Sequence, residues 1–137
     1  MAQYADAVAG ARKGSRLTFV TLAALADTAC VIGFAAAGRS QHDEVATFTG
    51  LWQTAWPFLF ALAFTWAIAV VWRRPFAVVR SGLPVWLGTL GFGMVMRVAF
   101  TDGGAPLAFV AVAAATLGLT LVGWRLVVLL VRKARSR

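Results

Sequence analysis

The sequence predicts an all-α integral membrane protein, a four-helix bundle whose helices cross a lipid bilayer. Apolar residues make up 61% of the 137 residues, against roughly 45–50% in soluble globular chains. Charged residues make up 13%, about half of the usual share near 25%. The charges lie between long apolar runs, and a run of about 18 or more apolar residues is long enough to cross a bilayer. This composition excludes an ordinary soluble domain.

The N-terminal part of the chain predicts a basic tail followed by the first span. Residues 1–16 are polar and basic without a periodic apolar face, which is typical of a short, poorly ordered tail. The first span is predicted over residues 17–38, which at about 1.5 Å per residue cross a hydrocarbon core of about 30 Å. A cleaved signal peptide is the rival interpretation, since residues 35–37 are small enough for a cleavage site. The apolar stretch exceeds the usual signal core and contains Asp27, so we favour an uncleaved helix.

Three further spans are predicted, over residues 51–72, 83–100 and 107–131. The first two spans are separated by a polar loop over residues 39–44, and the second span ends at Arg73-Arg74-Pro75. Residues 101–106 have the composition of a turn, and residues 132–137 form a second basic tail. The transmembrane domain is therefore predicted over residues 17–131.

The basic residues predict how the protein is oriented in the membrane. If the spans alternate in direction, ten of the thirteen basic residues fall on one side. These are Arg12, Lys13, Arg16, Arg73, Arg74, Arg80, Arg132, Lys133, Arg135 and Arg137. Because an excess of Lys and Arg marks the cytoplasmic side, we predict a cytoplasmic (inner) membrane protein with both termini and the middle loop in the cytoplasm. The net charge of +8 is then explained by contact with anionic membrane lipids, and no nucleic-acid partner is expected.

Three ionisable side chains, Asp27, Arg97 and Arg125, fall within the predicted spans. Such groups are costly in hydrocarbon and are functional-site hypotheses by default. Counted from the inner helix ends, they lie at depths of about 15, 21 and 9 Å respectively. Side chains lean toward the N-terminus of their helix. Asp27 and Arg97 should therefore point toward the cytoplasmic side of the membrane, and Arg125 toward the membrane midplane. All three could converge on a net-positive site for an anionic ligand.

Two other interpretations of these charges stay open. In the first, Asp27 pairs with Arg97 to lock the bundle, while Arg125 extends to the inner interface. In the second, Asp27 carries a proton or binds a ligand itself. Arg39 and His42, in the polar loop, are expected to lie at the outer entrance of this site. Trp56 is a candidate residue for lining the site.

The sequence offers no catalytic or cofactor motif. It contains one histidine and one cysteine, too few within one chain for a two-histidine haem site, a zinc motif or an intramolecular disulfide. No nucleophile and base pair can be assembled either, so we expect a protein that is not an enzyme and holds no cofactor or metal.

Small residues recur at helical spacing in three of the spans. They are Ala29, Gly33 and Ala37 in the first, Ala61, Thr65 and Ala69 in the second, and Gly88, Gly91 and Gly93 in the third. Small residues at this spacing let helix backbones approach closely, so they predict tight helix packing.

Several short segments together resemble a known family. The segments are Asp27, Gly38-Arg39-Ser40-Gln41-His42, Trp56-Pro57-Phe58, Arg74-Pro75, Gly93-Met94-Val95-Met96-Arg97 and Gly123-Trp124-Arg125. In order and spacing they resemble an uncharacterised family of small four-helix bacterial and archaeal membrane proteins, domain of unknown function family 3054. The resemblance covers about residues 17–131 and implies a four-helix integral membrane protein, but it supplies no reaction, cofactor or partner.

Two functions from different classes fit these observations. The first is a small transporter or channel subunit with the net-positive intramembrane site, and it would need a homo-oligomer because one four-helix chain encloses little interior. The alternative is a structural or assembly subunit of a larger membrane complex, which the stripes of small residues favour.

Overall fold

The computed structural model describes residues 1–40 and 47–137, and in that part of the chain the fold is all-α. These residues are 88% helical, without strands, and include four helical rods that are long and apolar enough to cross a membrane. The rods comprise residues Ala2–Arg39, Phe48–Ile68, Val78–Phe100 and Leu107–Arg135. The predicted four-helix membrane fold is confirmed.

The first helix, α1 (Ala2–Ser40), is longer than the sequence predicted at both ends. The expected disordered tail over residues 1–16 was wrong, because these residues continue the helix. Five of them are alanines, which have the highest helix propensity, and this compensates for the lack of an apolar face. At the other end, Arg39 belongs to the last turn of α1 and not to a loop.

Helix α2 (Phe48–Ile68) begins at a side-chain cap and ends at a strained residue. The hydroxyl of Thr47 accepts a hydrogen bond from the Gly50 N–H at 3.2 Å, which satisfies one of the free donors at the helix start. Val70 then adopts a left-handed conformation with φ of 50°, which a β-branched residue rarely does and which ends the helix. A 3₁₀ turn over Val71–Arg73 continues the connection to the third rod.

The last two rods each contain a π-helical turn. The third rod begins with a π turn over Val78–Gly82 and continues as α3 (Leu83–Phe100). The fourth consists of α4 (Leu107–Leu117), a π turn over Gly118–Val122 and α5 (Gly123–Arg135). A π turn inserts one residue into a helix, so the turn inside the fourth rod rotates the residues that follow it by about 100°.

Helices α2 and α3 form the closest pair, and small residues make the contact. Gly88 faces the side chain of Thr65, and Gly93 faces the ring of Phe58, so closely that a Cβ at either glycine would collide with that side chain. The predicted packing role of these glycines is confirmed for this pair. Gly91 instead faces open space, on the exposed side of α3.

An apolar core runs through the middle of the bundle, and the outer surface is apolar as well. The core comprises Val31, Phe34, Phe58, Leu62, Val71, Val85, Ala113, Leu117 and Leu121. Large apolar side chains also point outward, for example Leu87 at 56% exposure and Leu119 at 77%. Outward apolar faces on all four rods suit a helix bundle that lipid surrounds.

Candidate functional site

Asp27 and Arg125 form an ion pair in the interior of the bundle. Asp27 lies on α1 and Arg125 on α5, and both side chains are fully buried, at 0% exposure. The guanidinium binds the carboxylate with two parallel hydrogen bonds, Nη1 to Oδ1 and Nη2 to Oδ2, each 2.7 Å long. This bidentate geometry is the strongest form that an arginine–carboxylate pair takes.

Two tryptophans complete the shell of the carboxylate. Trp124 donates its indole N–H to Oδ1, and Trp66 donates its own to Oδ2, both at 2.9 Å. Asp27 therefore accepts four hydrogen bonds, two on each oxygen, which is the full capacity of a carboxylate. All four bonds come from N–H donors on three residues, which suits an ionised carboxylate because that group only accepts hydrogen bonds.

Arg125 is held by the backbone as well as by Asp27. Its Nε donates to the carbonyl of Pro75 at 2.9 Å, and Nη1 donates to the carbonyl of Leu121 at 2.8 Å. Four of its five N–H groups therefore have partners. The cluster ties α1, α2, the connection after α2 and the last rod together.

Local structure explains how Arg125 reaches this position. The π turn over Gly118–Val122 lies immediately before Gly123, so it changes the direction in which Trp124 and Arg125 leave the helix. Gly82 provides room on the opposite side, because a Cβ there would lie 3.1 Å from the Cδ of Arg125. The side chain of Arg125 also leans toward the N-terminus of α5, since its Nη1 bonds the carbonyl of Leu121 four residues earlier, and this lean directs it into the bundle.

Arg97 does not join the cluster, and its predicted pairing with Asp27 was wrong. Its Nε donates to the carbonyl of Gly104 at 2.9 Å, and its guanidinium carbon lies 4.3 Å from the ring centre of Phe109. The long side chain reaches the loop beyond the end of α3, against the usual lean toward the helix N-terminus. The loop carbonyls are closer acceptors, and the oxygens of Asp27 are already saturated.

The interpretation in which Arg125 extends to the inner interface was also wrong, because Arg125 is fully buried. With Arg97 elsewhere, one cation faces one carboxylate and the cluster is electrically neutral. The expected convergence of three charges on a net-positive site is therefore absent from the geometry of the described residues. This neutral cluster is suited to holding four chain segments together and not to binding an anion.

The remaining candidate residues lie apart from the ion pair. Trp56 packs edge to face against Phe100, with ring centres 6.5 Å apart, near the end of α3 that is distant from Asp27. Arg39 is half-buried and covers Gly50 at the start of α2, where a Cβ would collide with its guanidinium. His42 lies outside the described residues. The structure thus brings together Asp27 and Arg125 alone among the predicted site residues that it describes.

The sequence analysis did not identify Trp66 and Trp124 as neighbours of Asp27. A signal for both was present, because a buried indole N–H needs an acceptor and Asp27 is the one acidic residue within the predicted spans. Trp86 follows the same rule with a backbone acceptor, donating to the carbonyl of Ala114 at 2.9 Å. Among the residues that the structure describes, no group of three potential metal ligands comes together.

Comparison with known proteins supports the family resemblance and nothing more specific. A family model described as a protein of unknown function (DUF3054) matches residues 24–128, a region that contains Asp27, both tryptophans and Arg125. No curated protein and no solved structure matches the chain. Because the family model covers more than half of the sequence, the chain belongs to this family of proteins of unknown function.

Proposed function

We propose that the protein is a non-enzymatic structural or assembly subunit of a larger complex in the cytoplasmic membrane, with both termini in the cytoplasm. The observation that carries this proposal is the direction of the small-residue stripe on α1. Ala29 and Gly33 are exposed, and a Cβ at Gly33 would meet no atom within 4 Å. The corresponding stripe on α2 is used inside the bundle, with Ala61 and Thr65 buried.

An outward small-residue stripe favours association with another membrane helix. Lipid gives apolar helices little reason to associate, so transmembrane helices pair where small side chains let their backbones approach closely. On α1, Ala29 and Gly33 face away from the other helices that the structure describes, so this surface suits contact with a helix of a partner protein.

The buried ion pair supports the same proposal. A transporter or channel subunit would use its intramembrane charges to bind or move a substrate, whereas both oxygens of Asp27 are saturated by the protein itself. The transport role depended on a net-positive centre, and Arg97 does not contribute to one. A saturated pair stabilises the bundle that presents the stripe.

The proposal is tested by lengthening a side chain on the stripe. Gly33→Leu adds bulk to open space on α1, so the monomer should fold normally, while close approach of a partner helix should be blocked. Gly91→Leu is the matched control, because Gly91 is also exposed on a helix and also faces open space.

The measurement is native gel electrophoresis of membranes extracted in a mild detergent, with the bands identified by mass spectrometry. We expect the wild-type protein and Gly91→Leu to migrate in a complex that contains a second protein in fixed stoichiometry, and Gly33→Leu to migrate alone. A complex containing copies of this chain alone would contradict the assembly role and favour an oligomeric transporter. Equal migration of all three proteins would contradict the role of the stripe.

A further inference from the structure

A cavity with a strongly basic lining lies near the end of the bundle that carries both chain termini. Four arginines from three parts of the chain line it: Arg12, Arg16, Arg73 and Arg132. Its volume of about 380 Å³ falls within the range of small-molecule sites, roughly 300–1,000 Å³. Within residues 1–40 and 47–137, carboxylate pairing is seen for Arg125 and not for these four arginines. This basic cavity therefore favours an anion.

The floor of the basic cavity is aromatic and is braced by the buried ion pair. The guanidinium carbon of Arg132 lies 4.7 Å from the ring centre of Phe76. Phe76 in turn packs edge to face against Phe19 and Trp124, with ring centres 5.9 and 5.7 Å apart. Because Trp124 is hydrogen-bonded to Asp27, the wall of the cavity is held in place before any ligand arrives.

A second cavity adjoins the first and is apolar. This apolar groove, of about 450 Å³, lies between α1 and α2 and is lined mainly by small and aromatic side chains, among them Ala24, Thr28, Ala63 and Trp66. Trp72 lines both cavities, so the two adjoin at this residue.

Together the two cavities have the length of one lipid molecule. Every fourth residue of α1 from Arg12 to Thr28 lines one cavity or the other. This stretch extends about 24 Å at about 1.5 Å per residue. A bilayer of about 40–45 Å, headgroups included, has leaflets of about 20–22 Å. The basic cavity lies at one end of this length and the apolar groove at the other, which matches the charged and the apolar part of a phospholipid.

We propose that the basic cavity and the apolar groove form one binding site for an anionic phospholipid. The arginines bind the phosphate, which their planar guanidinium groups can hold with paired hydrogen bonds. Trp72 lies at the level of the glycerol backbone, where interfacial tryptophans are common, and one acyl chain fills the apolar groove. A free phosphate would use the cavity alone, so the groove favours the lipid. This site does not depend on the proposed assembly role, since it uses a different face of α1.

The headgroup part of the proposal is tested by native mass spectrometry of the full chain in detergent. Phosphatidylglycerol and phosphatidylcholine with the same acyl chains are titrated separately, and bound lipid is counted. We expect a preference for phosphatidylglycerol that falls about 25-fold in Arg73→Gln/Arg132→Gln, at about five-fold for each arginine. The matched control is Arg135→Gln/Arg137→Gln, which removes the same charge from exposed positions outside the basic cavity and should keep the wild-type affinity.

Two further measurements distinguish the lipid from other anions. Ala63→Leu narrows the apolar groove and should weaken phosphatidylglycerol binding, while Ala111→Leu, at an exposed alanine of α4, should not. Glycerol phosphate, the soluble headgroup without acyl chains, should bind far more weakly than the lipid. Three results would each overturn the proposal. They are glycerol phosphate binding as tightly as the lipid, an equal loss of phosphatidylglycerol affinity in both double variants, and no preference of the wild-type protein for phosphatidylglycerol over phosphatidylcholine.

Discussion

Breaking the Asp27–Arg125 pair from one side should destabilise the protein more than any other polar substitution in the bundle. Asp27→Asn keeps one oxygen and replaces the other with an NH₂ group, which then faces N–H donors. Two of the four hydrogen bonds to residue 27 are lost, and at about 1.5–3 kcal/mol for each bond to a charged group the loss is about 3–6 kcal/mol. This agrees with the roughly 3–5 kcal/mol typical of removing one partner of a buried ion pair.

The double variant should be less damaging than the sum of the single variants. Arg125→Gln leaves the Asp27 carboxylate without its counter-charge, so it should be about as harmful as Asp27→Asn. Asp27→Asn/Arg125→Gln removes both charges, and the remaining loss is mainly that of acceptors for the two indole N–H groups. We therefore expect a coupling energy of about 3 kcal/mol in the double-mutant cycle.

The assay is reversible unfolding in mixed micelles with an increasing fraction of a denaturing detergent, followed by circular dichroism and tryptophan fluorescence. Asp6→Asn is the control, because it makes the same chemical change at an exposed position on the same helix. The reasoning would be refuted if the single variants unfolded like Asp6→Asn, or if their free-energy losses were additive. Normal stability of Asp27→Asn would instead favour a role for Asp27 in proton or ligand binding.

Three further outcomes are expected. A reporter fused after Arg137 should be active in the cytoplasm, because the basic residues flank that side; activity on the other side of the membrane would contradict the predicted topology. Gly93→Ala should lower the unfolding free energy by about 1–3 kcal/mol, since a Cβ there collides with the ring of Phe58. Gly91→Ala should not lower it, because a Cβ at Gly91 faces open space. Equal effects of the two substitutions in the micelle assay would argue against the tight α2–α3 contact. Arg97→Gln should lower the same free energy by about 1–3 kcal/mol, because its hydrogen bonds to the loop carbonyls are lost. A larger loss than that of Arg125→Gln would contradict the conclusion that Arg125 contributes more to stability than Arg97.

The sequence by itself determined that the chain forms four helices long and apolar enough to cross a membrane. The physical reason is that lipid offers no hydrogen bonds to a peptide backbone, so a long apolar run must become a helix whatever its neighbours are. The same reasoning located Asp27, Arg97 and Arg125 as the ionisable groups within the spans. It failed for residues 1–16, because these lie at the chain end where helix propensity, and not an apolar pattern, decides the conformation.

Tertiary structure alone decided which arginine meets Asp27. Both arginines were compatible with the estimated depths, and the choice depends on how each helix is rotated about its axis. The π turn over Gly118–Val122 changes that rotation just before Arg125, and helical periodicity does not reveal such a turn. The side chain of Arg97 bonds the loop carbonyls instead. Every acceptor position of the Asp27 carboxylate is occupied by Trp66, Trp124 and Arg125.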